Sequence, residues 1–129
     1  MKLKSSILSI ILFIAFLTGC EVENQTTITI IVKNKAGVVQ PDVLVYEFEN
    51  PVYDNFGSNP VYANKQKLTD KDGRAVFVLD EFEYDAEKEE NILYFTVFNE
   101  KTSSVYTTAG TVAINFKRGD VVSKDLILN

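Results

Sequence analysis

The chain has 129 residues, 13 basic against 18 acidic side chains, a formal charge of −5 at neutral pH, one cysteine and no histidine. Without histidine there is no His-dependent catalytic triad, no imidazole metal site and no general base whose ordinary pKa lies near neutrality. An acidic balance with no basic stripe also excludes the electrostatic footprint of a nucleic-acid binder.

The first segment reads as a leader. Met1-Lys2-Leu3-Lys4 carries two positive charges, residues 7–16 are apolar apart from one serine, and Leu17-Thr18-Gly19-Cys20 follows directly. Positive, apolar and small segments in that order make a signal peptide, and the apolar run is shorter than the roughly 20 residues that a spanning helix needs. Leu17-Thr18-Gly19-Cys20 resembles the lipobox of bacterial lipoproteins, and the resemblance covers the leader alone. It implies removal of residues 1–19, a lipid on the Cys20 thiol and a lipidated tether over residues 20–26, with the membrane lipid as the first partner. An ordinary secretory leader beside a chance cysteine is the alternative. Cys20 is the only cysteine, so no internal disulfide can form, and an acyl anchor gives that thiol a purpose. Apart from this covalent lipid no cofactor is expected. Loss of the leader removes Lys2 and Lys4, leaving 110 residues with 11 basic and 18 acidic side chains, a charge of −7. That length is one domain. Glu21 and Glu23 resemble the acidic surface-export signal that follows the cysteine in some bacterial lipoproteins, or are simply a solvated tether. The expected location is the outer membrane, facing the cell surface or the periplasm.

Strand patterning fills residues 27–129. In residues 26–33, Ile28, Ile30 and Val32 alternate with Thr27, Thr29 and Ile31, a period of two rich in β-branched side chains. Further strands are expected over 42–49, 65–69, 74–79, 91–100 and 121–128, and over 103–116 as one strand or two around Gly110. Only residues 80–91 offer a helical turn. About seven strands separated by turn signals predict an all-β, two-sheet sandwich with a core of Ile28, Ile30, Val32, Val43, Val45, Ala75, Phe77, Leu93, Phe95 and Val97.

Between the third and fourth expected strands, Asp70-Lys71-Asp72-Gly73 is a hairpin turn: the aspartate accepts backbone hydrogen bonds and the glycine takes a positive φ. Ile30-Ile31-Val32, Ala36-Gly37-Val38, Val43-Leu44-Val45 and Leu68-Thr69-Asp70-Lys71-Asp72-Gly73-Arg74-Ala75-Val76-Phe77 together resemble the carboxypeptidase-regulatory-like and transthyretin-like domains. The similarity covers roughly the first half of the domain, and the acidic residues 80–91 stand where that family usually has Gly-Tyr. The resemblance implies a seven-stranded Greek-key sandwich acting as a binding or spacer module. Related collagen-adhesin sandwiches carry a lysine-to-asparagine isopeptide bond, for which Lys33 and a late asparagine are the available pair, although no acid is placed between them.

Asp70 and Asp72 also match the opening of a calcium loop, but the later ligands of such a loop are missing and the hairpin reading is preferred. Asp80, Glu81, Glu83, Asp85, Glu87, Glu89 and Glu90, opposed only by Lys88, form either a solvated loop or a seat for calcium or a basic partner. Asn-Pro-Val-Tyr occurs twice, at residues 50–53 and 59–62. Each Asn-Pro favours extended geometry, so the two copies are expected to be matched arms that carry Tyr53 and Tyr62 with Phe56 between them. These three rings suit recognition of an envelope protein or a glycan; alternatively they fold back with Val52 and Val61 over one end of the core. The expected function is non-catalytic, a membrane-anchored binding or accessory module of the bacterial envelope. A structural subunit of a larger envelope complex is the alternative, and a carboxylate-dependent glycan hydrolase a distant one.

Overall fold

Alternation dictates the architecture, because a strand with apolar side chains at every second position has one face that must be covered. The computed structural model describes residues 25–52, 59–99 and 106–129. Seven strands form: β1 (Thr27–Lys33), β2 (Leu44–Phe48), β3 (Lys65–Leu68), β4 (Arg74–Val78), β5 (Asn91–Phe98), β6 (Thr108–Phe116) and β7 (Val121–Ile127). They make a three-stranded sheet in the order β4-β1-β7 and a four-stranded sheet in the order β3-β2-β5-β6. Every pairing is antiparallel except that of β1 with β7.

The two inner faces meet in one core. Ile28, Ile30, Val32, Ala75, Phe77 and Leu126 face Val45, Leu93, Phe95, Val97, Ile114 and Phe116, all buried. The Phe77 and Phe95 rings join the sheets with centroids 4.9 Å apart. Each large apolar side chain buried in this way contributes about 1.5–3 kcal/mol. Val43 is the one expected core residue that is only half-buried, since it precedes β2 and lies at the edge of the cluster. Residues 108–116 form a single strand, and the pairing of β5 with β6 shifts register between Val97 and Phe98, opposite Gly110. The offered helical turn over 80–91 is instead a pair of hydrogen-bonded turns, Glu83 N–H to the Asp80 carbonyl at 3.0 Å and Lys88 N–H to the Asp85 carbonyl at 3.2 Å.

The strand ends separate the loops into two groups. The β1–β2 and β3–β4 turns lie at one end, tied together by Val32 N–H donating to the Gly73 carbonyl at 2.8 Å. Residues 49–52, 59–64 and 79–90, the β6–β7 turn and the start of β1 lie at the other end. Thr26 is 3 % exposed, so the folded unit begins at or before it. Lys33 is not set against a buried acid, as isopeptide chemistry would require; its Nζ donates to Asp125 of β7 at 2.8 Å, with both side chains partly in solvent.

Candidate functional site

At the end where the chain enters β1, Tyr84 closes the sandwich. Its ring stacks edge-on against Phe116 at 5.4 Å and its hydroxyl shares a 3.0 Å hydrogen bond with the Thr26 hydroxyl, which also accepts from Gly119 N–H at 2.8 Å. The acidic loop is therefore pinned from within. Outside, Arg118 bonds Glu81 at 2.6 Å, and the Glu83 carboxylate accepts from Asp80 N–H at 2.6 Å. Lys65, at the start of β3, bridges the sheets by donating to Glu83 at 2.6 Å and to the Val78 carbonyl at 3.0 Å. With these anchors made, Phe82 at the loop tip is left 100 % exposed.

Beneath this loop β2 does something its alternation announces. Val45 and Glu47 share the inward face, so the carboxyl enters the core layer and is 1 % exposed. No hydrogen-bond partner meets Glu47 Oε1 among the described residues. Burial pushes the Glu47 carboxyl up to about 7, the charge of Glu83 adds to that, Lys65 opposes it, and Glu49 contributes a smaller push in the same direction. At neutral pH it is poised between its two protonation states, a property of groups that answer to a ligand or to pH. This residue was missed as a functional candidate; the signal was the Val43-Val45-Glu47 spacing, which continues the core face into a charge.

The aromatic loop is partly visible. Tyr62 is 69 % exposed and Val61 74 % exposed, so neither covers the core. The second Asn-Pro-Val-Tyr is not an extended arm beyond Asn59: Pro60–Tyr62 is a 3-10 turn. The Asn59 side chain accepts from Val61 N–H at 3.0 Å and Pro60 fills a position that needs no donor, so the same two residues that favour extended entry also start a helical turn. Asn64 N–H returns to the Glu47 carbonyl at 2.8 Å, which fixes the loop to β2 next to the buried acid. Tyr53 and Phe56 lie outside the described residues, as does Cys20.

Along the acidic loop and the start of β5 runs a groove of about 330 Å³ lined by Glu49, Phe82, Glu83, Asp85, Lys88 and Ile92 among others. Asp70 and Asp72 lie at the far end. Asp70 Oδ1 accepts from Asp72 N–H at 2.8 Å and Arg74 N–H at 3.0 Å, and the Arg74 backbone bond first of all holds its carboxyl below the usual range. That oxygen is committed to the turn. Among the described residues no group of three or more acidic, histidine or cysteine side chains is placed to hold a metal ion. No protein-family model matches the chain, and no curated protein matches it.

Proposed function

We propose that the protein is a non-catalytic binding module of the bacterial envelope, anchored by a lipid on Cys20 to the outer membrane, with a Greek-key domain of the transthyretin-like kind. The observation that carries the reading is the exposure of Tyr62 and Phe82, at 69 % and 100 %, on the same end of the fold. Large rings held outside a well-filled core carry contact area at low entropy cost. The strand orders β4-β1-β7 and β3-β2-β5-β6, in which the β1–β2, β3–β4, β4–β5 and β6–β7 connections cross between the sheets while β2–β3 and β5–β6 stay within one, support the Greek-key part.

On the same reading the tether bears on where a partner would be. From Cys20 to Gln25 the chain reaches at most about 20 Å even when fully extended, and Gln25 and Thr26 enter at the end that bears the exposed rings. On this reading the rings face the membrane side and the partner is a protein in, or lying on, the same membrane. The test is capture of partners from intact cells by the acylated protein and by a Tyr62→Ala, Phe82→Ala variant. Recovery is expected to fall for the variant; equal recovery by a folded variant contradicts the reading. Cys20→Ser is expected to move the protein from the membrane fraction to the soluble one, and retention on the membrane removes the lipid from the account.

A further inference from the structure

Phe82 is carried by a short bow of chain whose two feet rest on one residue. Before the bow, Leu79 N–H donates to the Thr26 carbonyl at 2.9 Å; after it, the Tyr84 hydroxyl shares its 3.0 Å bond with the Thr26 hydroxyl. Asp80, Glu81, Phe82 and Glu83 lie between. The same Thr26 oxygen accepts from Gly119 N–H at 2.8 Å, and Thr27 N–H donates to the Asp120 carbonyl at 2.9 Å, so the β6–β7 turn is seated on the entry segment as well. Two ion pairs brace the bow from outside, Arg118 with Glu81 and Lys65 with Glu83, but all four side chains are partly in solvent, which screens them. Thr26 is almost wholly buried, so its bonds are shielded from competing water.

We propose that Thr26 is a positioning residue for Phe82: its hydroxyl latches the β4–β5 loop and the β6–β7 turn to the point where the chain enters, and so fixes the ring's place before a partner arrives. The proposal deepens the binding-module reading and rests on it. An exposed ring on a free loop loses that loop's freedom on binding. A bow closed at both feet has already lost it, so more of the contact energy appears as affinity. A hydroxyl is the group the position needs, because one oxygen accepts from an amide and also bonds a phenol, and a valine of similar shape does neither. On the tether reading, the ring is held by the end of the tether itself.

Amide hydrogen exchange of the full-length chain in detergent micelles tests this. Thr26→Val is expected to speed exchange of the Glu83 and Gly119 amides about tenfold while the Phe95 amide, in the core of β5, keeps its rate. The Glu83 amide bonds the Asp80 carbonyl and not Thr26, so its response reports release of the bow rather than loss of a direct partner. Tyr84→Phe is expected to speed Glu83 alone, because Gly119 keeps its acceptor, and the double variant to speed Glu83 no further than either single one. Thr26→Ser, which retains the hydroxyl, is expected to leave both amides at the wild-type rate. An unchanged Glu83 amide in Thr26→Val, equal acceleration of Phe95, or fast exchange in Thr26→Ser overturns the proposal. Partner capture from intact cells is expected to fall about twofold or more for Thr26→Val, although both rings are present. Full recovery by that variant, where Tyr62→Ala, Phe82→Ala loses the partner, overturns the positioning role and leaves the binding-module reading in place. Full recovery by both variants contradicts the binding-module reading and the proposal with it.

Discussion

The two ends of the sandwich share one kind of turn, in which a side-chain oxygen takes backbone N–H groups, and differ in what else they hold. At the end formed by the β1–β2 and β3–β4 turns, side-chain acceptors are committed to their own backbone: Asn34 Oδ1 takes the N–H groups of Ala36 and Val38, both at 3.0 Å, as Asp70 Oδ1 takes those of Asp72 and Arg74. At the end where the chain enters, a buried carboxyl oxygen has no donor among the described residues and a phenylalanine stands wholly in solvent. The first arrangement holds the sheets in register. The second leaves one buried oxygen unmet among the described residues and one ring in solvent.

Substitutions should separate these roles. Gly73 has φ +74° and a Cβ there would lie 2.9 Å from the Val32 carbonyl oxygen and 2.9 Å from Val39 Cβ, so Gly73→Ala is expected to cost about 3 kcal/mol in denaturant unfolding. Gly37, with φ +81° and open space around it, shares the strain without the clash, and its alanine variant should cost only about 1 kcal/mol. A result in which the two costs match would remove close packing from the account of that end.

The buried acid gives the next largest effect, with the opposite sign. Because the folded carboxyl lies near 7 and an unfolded glutamate near 4.5, the folded state binds the extra proton between those values. The associated stability is therefore complete below pH 4.5 and is lost as pH rises to about 7. Glu47→Gln, which cannot ionise, is expected to match the wild type near pH 4 and to be more stable by about 2 kcal/mol at pH 8. Unfolding curves at the two pH values check this. Tyr84→Phe, which removes the hydroxyl bonded to Thr26, should cost about 1 kcal/mol. Phe82→Ala should change stability by less than about 0.5 kcal/mol, since the ring touches no core, and a larger loss would mark it as structural.

Much of the scaffold was legible because its signals are local. Period-two runs placed all seven strands to within a few residues, and nine of the ten expected core residues are buried, since alternation alone tells a strand which face to hide. The site was harder to read for two reasons. Asn59-Pro60 carries two local preferences, extended entry and helical start, and only the return of Asn64 to β2 decides where one yields to the other. The contacts that define the end, Thr26 with Tyr84 across 58 positions and Lys65 with Glu83, exist only once the sheets have packed, and no pattern within a strand encodes them. Glu47 was legible in principle: a strand that hides Val45 must also hide the residue two positions on, whatever its charge.

The most direct test of the contrast between the ends is a carboxyl-carbon NMR titration of Glu47 in the folded protein. A midpoint near 7, well above the ordinary value of 4.5, is the expected result. A midpoint at or below that ordinary value would mean that the acid is solvated or already paired, and that the chain-entry end holds no unmet charge.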